Sequence, residues 1–176
     1  LEHPATAMGN VGAGTGATVG KLCGMERASK TGIGCYAMAL GELQVAAVVV
    51  VNALGDIFDP VNGTKIAGLM NEDRTAFGDS CEELWKLGCP QNLFTGNTTI
   101  GAVITNGQFN KAQMNKIASM TRNAYARCIN PVGTMADGDS IYAASIGDVK
   151  ADINVTGTLA AHVMERAIVK AVESAR

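Results

Sequence analysis

Gly96-Asn97-Thr98-Thr99-Ile100-Gly101-Ala102-Val103-Ile104-Thr105-Asn106 changes character part-way along. Gly-Asn is a turn dipeptide and the residues after it favour strands, so Thr98 stands where a loop becomes a strand. Its hydroxyl has a mobile carbonyl behind it and a rigid scaffold ahead. Attack of that hydroxyl on the Asn97 carbonyl would split the chain and leave Thr98 as a new N-terminus. The freed α-amine, with a reference pKa of about 7.7–8, would then lie beside the hydroxyl as its base, an arrangement known for threonine nucleophiles. The same residues also spell a glycosylation sequon, and threonine enters strands for packing alone. On these residues both readings stand, and the rest of the chain has to weigh between them.

A chain of 176 residues is most simply one domain with a real core. Hydrophobic residues at 47% against 17% charged make it globular rather than disordered. A net charge of −2, with no basic cluster interleaved with aromatics, argues against nucleic-acid and membrane partners. Cys23, Cys35, Cys81, Cys89 and Cys128 form an odd set without a C-x-x-C pair, and His3 and His162 are the only histidines. No metal site is expected from them; reduced, mostly buried thiols are. No basic segment followed by an apolar one opens the chain, so no signal peptide is expected. The longest apolar run, residues 45–51, is too short to span a bilayer. A reducing cytoplasm is the expected location, which also weakens the sequons at Asn62, Asn97 and Asn154.

Leu1-Glu2-His3-Pro4 leads almost at once into Gly9-Asn10-Val11-Gly12-Ala13-Gly14-Thr15-Gly16-Ala17-Thr18-Val19-Gly20-Lys21, which reads as an active-site loop entered from the middle of something. Phosphate-binding patterns fail on it. A Walker loop needs glycine where Thr15 stands and Ser or Thr where Leu22 stands, and the third glycine of a dinucleotide fingerprint is Ala17. The loop suits a place where backbone closely approaches a ligand or another strand, with Lys21 delivering a charge. A surface lysine after a glycine turn fits equally.

Residues 33–40 and 43–52 predict two strands around Gly41-Glu42, the second so continuously apolar that cover on both faces is expected. Asn52 closes it, either as a turn residue or as an amide offered to a developing oxyanion. Asp59-Pro60-Val61-Asn62-Gly63 predicts a hairpin turn with residues 66–69 returning. Residues 71–96 read as a long excursion with a short helix at 80–87 carrying Trp85. Asn110 caps a helix expected to run to about Cys128, stopped by Asn130-Pro131. Asp137-Gly138-Asp139 precedes a strand over 140–146. These carboxylates fit an acidic turn, a pair orienting a cationic amine, or, with too few further oxygens, a calcium loop. A last helix over about 158–174 buries Leu159, Val163, Ala167, Ile168 and Ala171, with His162 in a structural role.

Taken in order, residues 9–21, Val49-Val50-Val51-Asn52, Gly96-Asn97-Thr98-Thr99-Ile100 and Asp137-Gly138-Asp139 resemble the self-cleaving aminopeptidase/amidase family of the DmpA type. That family includes D-aminopeptidases, β-aminopeptidases, a pantetheine-amide hydrolase and the endo-type nylon oligomer hydrolase. The resemblance runs along essentially the whole chain and is closest to the threonine-using branch. It implies an α/β fold, a four-layer α-β-β-α sandwich of N-terminal-nucleophile type, and cleavage between Asn97 and Thr98. Residues 1–97 would belong to the α subunit and 98–176 to the β subunit. Thr98 would be the nucleophile, Asn52 the oxyanion stabiliser, and Lys21, Asp137 and Asp139 the charged groups around them. The two carboxylates would hold the amine and Lys21, whose charge would help lower the hydroxyl pKa.

The founding aminopeptidases carry serine as nucleophile and a Ser/Glu pair where this chain has Asp137 and Asp139, so their substrates do not carry over. Family members are also longer. The earlier part of their α subunit, which supplies further strands, part of the pocket and a tyrosine near the oxyanion, is expected to be missing here. The resemblance implies a small amide or peptide substrate, no cofactor, and a homo-oligomer, tetrameric or larger, of processed heterodimers. An acyltransferase of the ornithine acetyltransferase type and an uncut binding or assembly module are the alternatives.

Overall fold

The computed structural model describes residues 7–88 and 96–175; the opening Leu1-Glu2-His3-Pro4 and Cys89 lie outside the described residues. After a 3-10 turn at Gly12–Gly14, β1 (Thr18–Val19) and β2 (Ser29–Lys30) pair as a small antiparallel ribbon. β3 (Ile33–Leu40) and β4 (Leu43–Val50) form the expected hairpin, paired residue for residue from Ile33↔Val50 to Leu40↔Leu43. Gly41 makes the turn at a φ of +60°, open to glycine at little cost. β5 (Asp56–Phe58) and β6 (Lys65–Ala67) make the second hairpin, and α1 (Ser80–Leu87) follows, capped by the Asp79 carboxylate on the N–H groups of Cys81 and Glu82. Trp85 on it is exposed.

β7 (Ile100–Gly107), α2 (Lys111–Thr121), α3 (Asn123–Cys128), β8 (Ile129–Asn130), β9 (Ser140–Val149) and α4 (Ile153–Glu173) complete the chain. The main sheet runs β3-β4-β7-β9, antiparallel except for the parallel β7–β9 pair; β6-β5-β8 form a second, three-stranded sheet. α4 lies over β3 and β4, and α2 lies over β9 and beside α4. Val45, Ala47 and Val49 of β4 join Val103 of β7 and Val163, Met164, Ala167, Ile168 and Ala171 of α4 in one buried core. Gly34 lets α4 come down on the sheet, since a Cβ there would meet the Ala167 carbonyl oxygen at 2.1 Å. No helix among the described residues is long and apolar enough to cross a membrane.

Four expectations need correction. Residues 45–51 are not covered on both faces: Val45, Ala47 and Val49 are buried, but Ala46, Val48 and Val50 are only half-buried, because the helices cover one face of the sheet. The described residues thus set one helix layer against the main sheet, with the three-stranded sheet beside them, in keeping with an α/β sandwich. The helix from Asn110 breaks at Arg122, where Thr121 turns its hydroxyl back onto the Ile117 carbonyl, a bond that bends helices. The last helix begins at Ile153, capped by Asp152. Gly157 within it is a close-packing site, where a Cβ would meet Met120 Sδ at 2.5 Å. Of the four described cysteines only Cys128 is buried; Cys23, Cys35 and Cys81 are partly exposed.

Candidate active site

Strand register builds the site. β4 and β7 run antiparallel with Val50 opposite Ile100, so the residues leaving β4 lie beside those entering β7. Thr98 accordingly donates its backbone N–H to the Asn52 carbonyl at 2.8 Å. On the other side β9 runs parallel to β7 with Ser140 level with Ile100, which brings the residues before β9 alongside those before β7. Gly138 N–H donates to the Asn97 carbonyl at 2.9 Å, Ser140 N–H to the Thr99 carbonyl at 3.1 Å, and Thr99 N–H to Asp139 Oδ1 at 2.8 Å. Asn97 and Asp137 form a parallel bridge. Gly96, at a φ of +76°, turns the chain into this arrangement. The Thr98 hydroxyl lies 2.6 Å from the Asn97 carbonyl oxygen and donates to it.

The glycine-rich loop enters by backbone pairing: Gly20 N–H bonds the Gly55 carbonyl and Lys21 N–H the Leu54 carbonyl. Gly20 is required there, at a φ of +68° and with a Cβ that would meet Leu69 N at 2.0 Å. This pairing carries the Lys21 side chain inward, leaving it 8% exposed. Its ammonium donates to Asn52 Oδ1 at 2.9 Å, the Asn52 carbonyl at 3.2 Å and the Gly96 carbonyl at 3.4 Å. With Oδ1 held by Lys21 and by Thr18 N–H, the Asn52 amide aims Nδ2 at the Gly96 carbonyl, 2.8 Å away. Lys21 is therefore not the surface lysine its neighbours in sequence allowed. Burial lowers its pKa to about 8, with the Asp137 charge opposing.

Asp137 is tied down by Thr134, whose N–H and hydroxyl both bond Oδ2, and Leu54 N–H reaches Oδ1 at 3.4 Å. Asp139 Oδ2 is buried with no hydrogen-bond partner among the described residues, as is the Thr99 hydroxyl. Burial raises the Asp139 pKa; Thr99 N–H opposes the shift, the Asp137 charge adds to it and Arg122 opposes it. Neither carboxylate hydrogen-bonds Lys21 or the Thr98 nitrogen among the described residues; Asp137 acts on Lys21 through charge alone. All five residues singled out by the resemblance, Thr98, Asn52, Lys21, Asp137 and Asp139, thus lie at one end of the main sheet. His162 is distant in role, half-exposed on α4 near Glu165.

Two hollows flank Thr98. One of about 380 Å³ is lined by Ala13, Gly16, Ala17, Val50 and Ile100 and reaches Asn52; the other, about 370 Å³, holds Met135, Asp137 and Gly138. Thr134 and Gly138 were not singled out as separate site residues from sequence. The spacing Thr134-Met135-Ala136-Asp137 carries a signal for the first, since a Thr three residues before a carboxylate is a capping-box spacing, here used in a turn without a helix. The backbone N–H of Gly138 has no residue-type signature.

Residues 2–176 match the family model Peptidase family S58. The chain is 30% identical over 179 residues to the 6-aminohexanoate-oligomer endohydrolase of Agromyces sp. (strain KY5R), covering 93% of this chain and 50% of that protein. It is 33% identical over 154 residues to an uncharacterized aminopeptidase of Mycobacterium leprae, covering 85% and 40%. The chain thus spans about half the length of such relatives. Among solved structures it resembles the L-aminopeptidase D-Ala-esterase/amidase of Ochrobactrum anthropi, described as a variant of the N-terminal-nucleophile hydrolase fold. The TM-score is 0.65 at 17% identity, over 96% of this chain and 45% of that one. The Burkholderia sp. β-aminopeptidase gives a TM-score of 0.62 at 21% identity, over 96% and 47%. The fold is that of the N-terminal-nucleophile hydrolases.

Proposed function

The chain belongs to peptidase family S58, and from that membership we propose a self-processing amidohydrolase that cuts itself between Asn97 and Thr98 and then hydrolyses small amides or peptides. The observation that carries this reading is the Thr98 hydroxyl poised 2.6 Å from the carbonyl oxygen of its own preceding peptide. Residues up to Asn97 become the α subunit and Thr98 begins the β subunit.

In the mature protein the Thr98 amine takes the proton of its own hydroxyl as that oxygen attacks a substrate carbonyl. Asn52 supplies Nδ2 to the developing oxyanion once the Gly96 carbonyl, its partner in the uncut chain, has moved away. Lys21 orients Asn52 and adds positive charge; Asp137 steadies Lys21 from a tethered position. The amine product leaves, and water hydrolyses the acyl-threonine ester. The apolar hollow beside Val50 and Ile100 suits an aliphatic segment of the substrate, in keeping with the 6-aminohexanoate oligomers of the relative.

Intact mass and N-terminal sequencing of the purified chain, beside Thr98→Ala, test the proposal. Two fragments, one beginning Thr98-Thr99-Ile100, are expected, with Thr98→Ala remaining a single chain. Incubation with 6-aminohexanoate oligomers and aminoacyl anilides then tests hydrolysis. An uncut chain without Thr98-dependent amide hydrolysis overturns the reading.

A further inference from the structure

We propose that the backbone N–H of Gly138 is the oxyanion donor for self-cleavage, while Asn52 attends the neighbouring carbonyl of Gly96 during that step. The proposal rests on the reading that Thr98 cuts the bond before it. Two carbonyls precede Thr98, and the structure gives each a different donor. The Asn97 carbonyl, the one under attack, receives Gly138 N–H at 2.9 Å and the Thr98 hydroxyl at 2.6 Å. The Gly96 carbonyl receives Asn52 Nδ2 at 2.8 Å and Lys21 Nζ at 3.4 Å.

Cleavage begins as Thr98 Oγ1 bonds the Asn97 carbonyl carbon and the carbonyl π pair moves onto oxygen. The hydroxyl proton passes, in net terms, to the Thr98 nitrogen as the C–N bond breaks, giving an ester. Water then hydrolyses that ester to the Asn97 carboxylate, the free hydroxyl and the Thr98 amine. The hydroxyl stops donating to the carbonyl oxygen when it turns nucleophile, so Gly138 N–H stays on that oxygen while its charge grows. A fixed backbone dipole at this place needs no reorganisation during the step.

Position 138 is also shaped for the task. A Cβ there would stand 2.7 Å from Thr98 Oγ1 and 3.8 Å from the Asn97 carbonyl oxygen, so glycine leaves the hydroxyl its place beside the carbonyl, where a side chain would crowd it. Its neighbours hold it on both sides: Asp137 bridges Asn97 and is anchored by Thr134, and Ser140 N–H bonds the Thr99 carbonyl.

The test removes the N–H while keeping the side chains and the space at position 138. Ligation through Cys128 of residues 1–127 to a synthetic 128–176 segment allows glycolic acid to replace Gly138, an ester linkage that keeps the space beside Thr98. Cleavage is followed by intact mass after folding, beside an all-amide chain ligated in the same way. The all-amide chain is expected to cut, and the ester chain to reach the same circular dichroism spectrum but cut about 10²–10³-fold more slowly. Equal rates overturn the proposal while leaving Thr98 self-cleavage standing; an uncut all-amide chain overturns both. Should the ester chain not fold, amide hydrogen exchange in the uncut Thr98→Ala chain decides. Slow exchange at the exposed Gly138 supports the bond to Asn97, and exchange at the free-peptide rate overturns it.

Discussion

Lys21 is a cation that backbone pairing of residues 20–21 with 54–55 drags out of water. Its ammonium then has three oxygens for company, and burial still lowers its pKa to about 8 from 10.5. Between those two values the unfolded lysine holds a proton that the folded one has released. Stability therefore rises with pH across that window, by on the order of 2–3 kcal/mol if all of it is crossed. Cys128 acts in the opposite direction. Burial raises its thiol from 9.0 to about 12, so its contribution is lost as pH climbs above 9. Urea unfolding at pH 7.5, 9 and 10 for the natural chain and Lys21→Met separates the two. The difference in stability between the chains should move in favour of the natural chain as pH rises; a pH-independent difference would count against the buried, depressed lysine. Nothing in residues 9–21 announces this, since a lysine after a glycine loop is as readily solvated.

At the scale of elements, Asp56 at the start of β5 gathers the long excursion. Only 1% exposed, it accepts Leu69 N–H and the Ser80 hydroxyl at Oδ1, and Ser80 N–H and the Lys65 ammonium at Oδ2. One carboxylate thereby fastens the β5–β6 hairpin to the entry of α1. Asp56→Ala leaves a half-buried ammonium and three other donors without this acceptor, and should cost about 3 kcal/mol in urea unfolding. A loss under 1 kcal/mol would show that the excursion is held elsewhere. The elements themselves were largely legible. Gly41-Glu42 marks the hairpin, and Asn110 with Gln113 completes a reciprocal cap at the start of α2. The misread boundaries have tertiary causes: the break after Thr121 and the early start of α4 both lie where α2 and α4 pack, with Gly157 against Met120. The network around Asp56 was not legible, because its donors come from three separate segments.

Across the whole molecule, the main sheet presents two unlike faces. The helix side is sealed, with Val103 wholly buried, whereas the other side carries Ile100, Ile104, Tyr142 and Ile146 to solvent, the last 74% exposed. Val103→Ala should cost about 2–3 kcal/mol, by lost transfer energy plus a cavity. The pair Ile104→Thr and Ile146→Thr should change stability by about 0.5 kcal/mol or less per site and reduce binding of a hydrophobic dye. Comparable losses from both faces in urea unfolding would contradict the one-sided cover.

Determined by sequence alone were the main turns, most of the strand and helix runs, the Asn110 cap and the loop-to-strand setting of Thr98, since each depends on residues a few positions apart. Motif resemblance also singled out Asn52, Lys21, Asp137 and Asp139. Tertiary structure decided what those residues touch. Antiparallel register lays Asn52 beside Thr98, and parallel register lays Gly138 on the Asn97 carbonyl. Register is a relation between distant strands, fixed by which faces the helices bury, and a slip of one residue would turn every side chain to the opposite face.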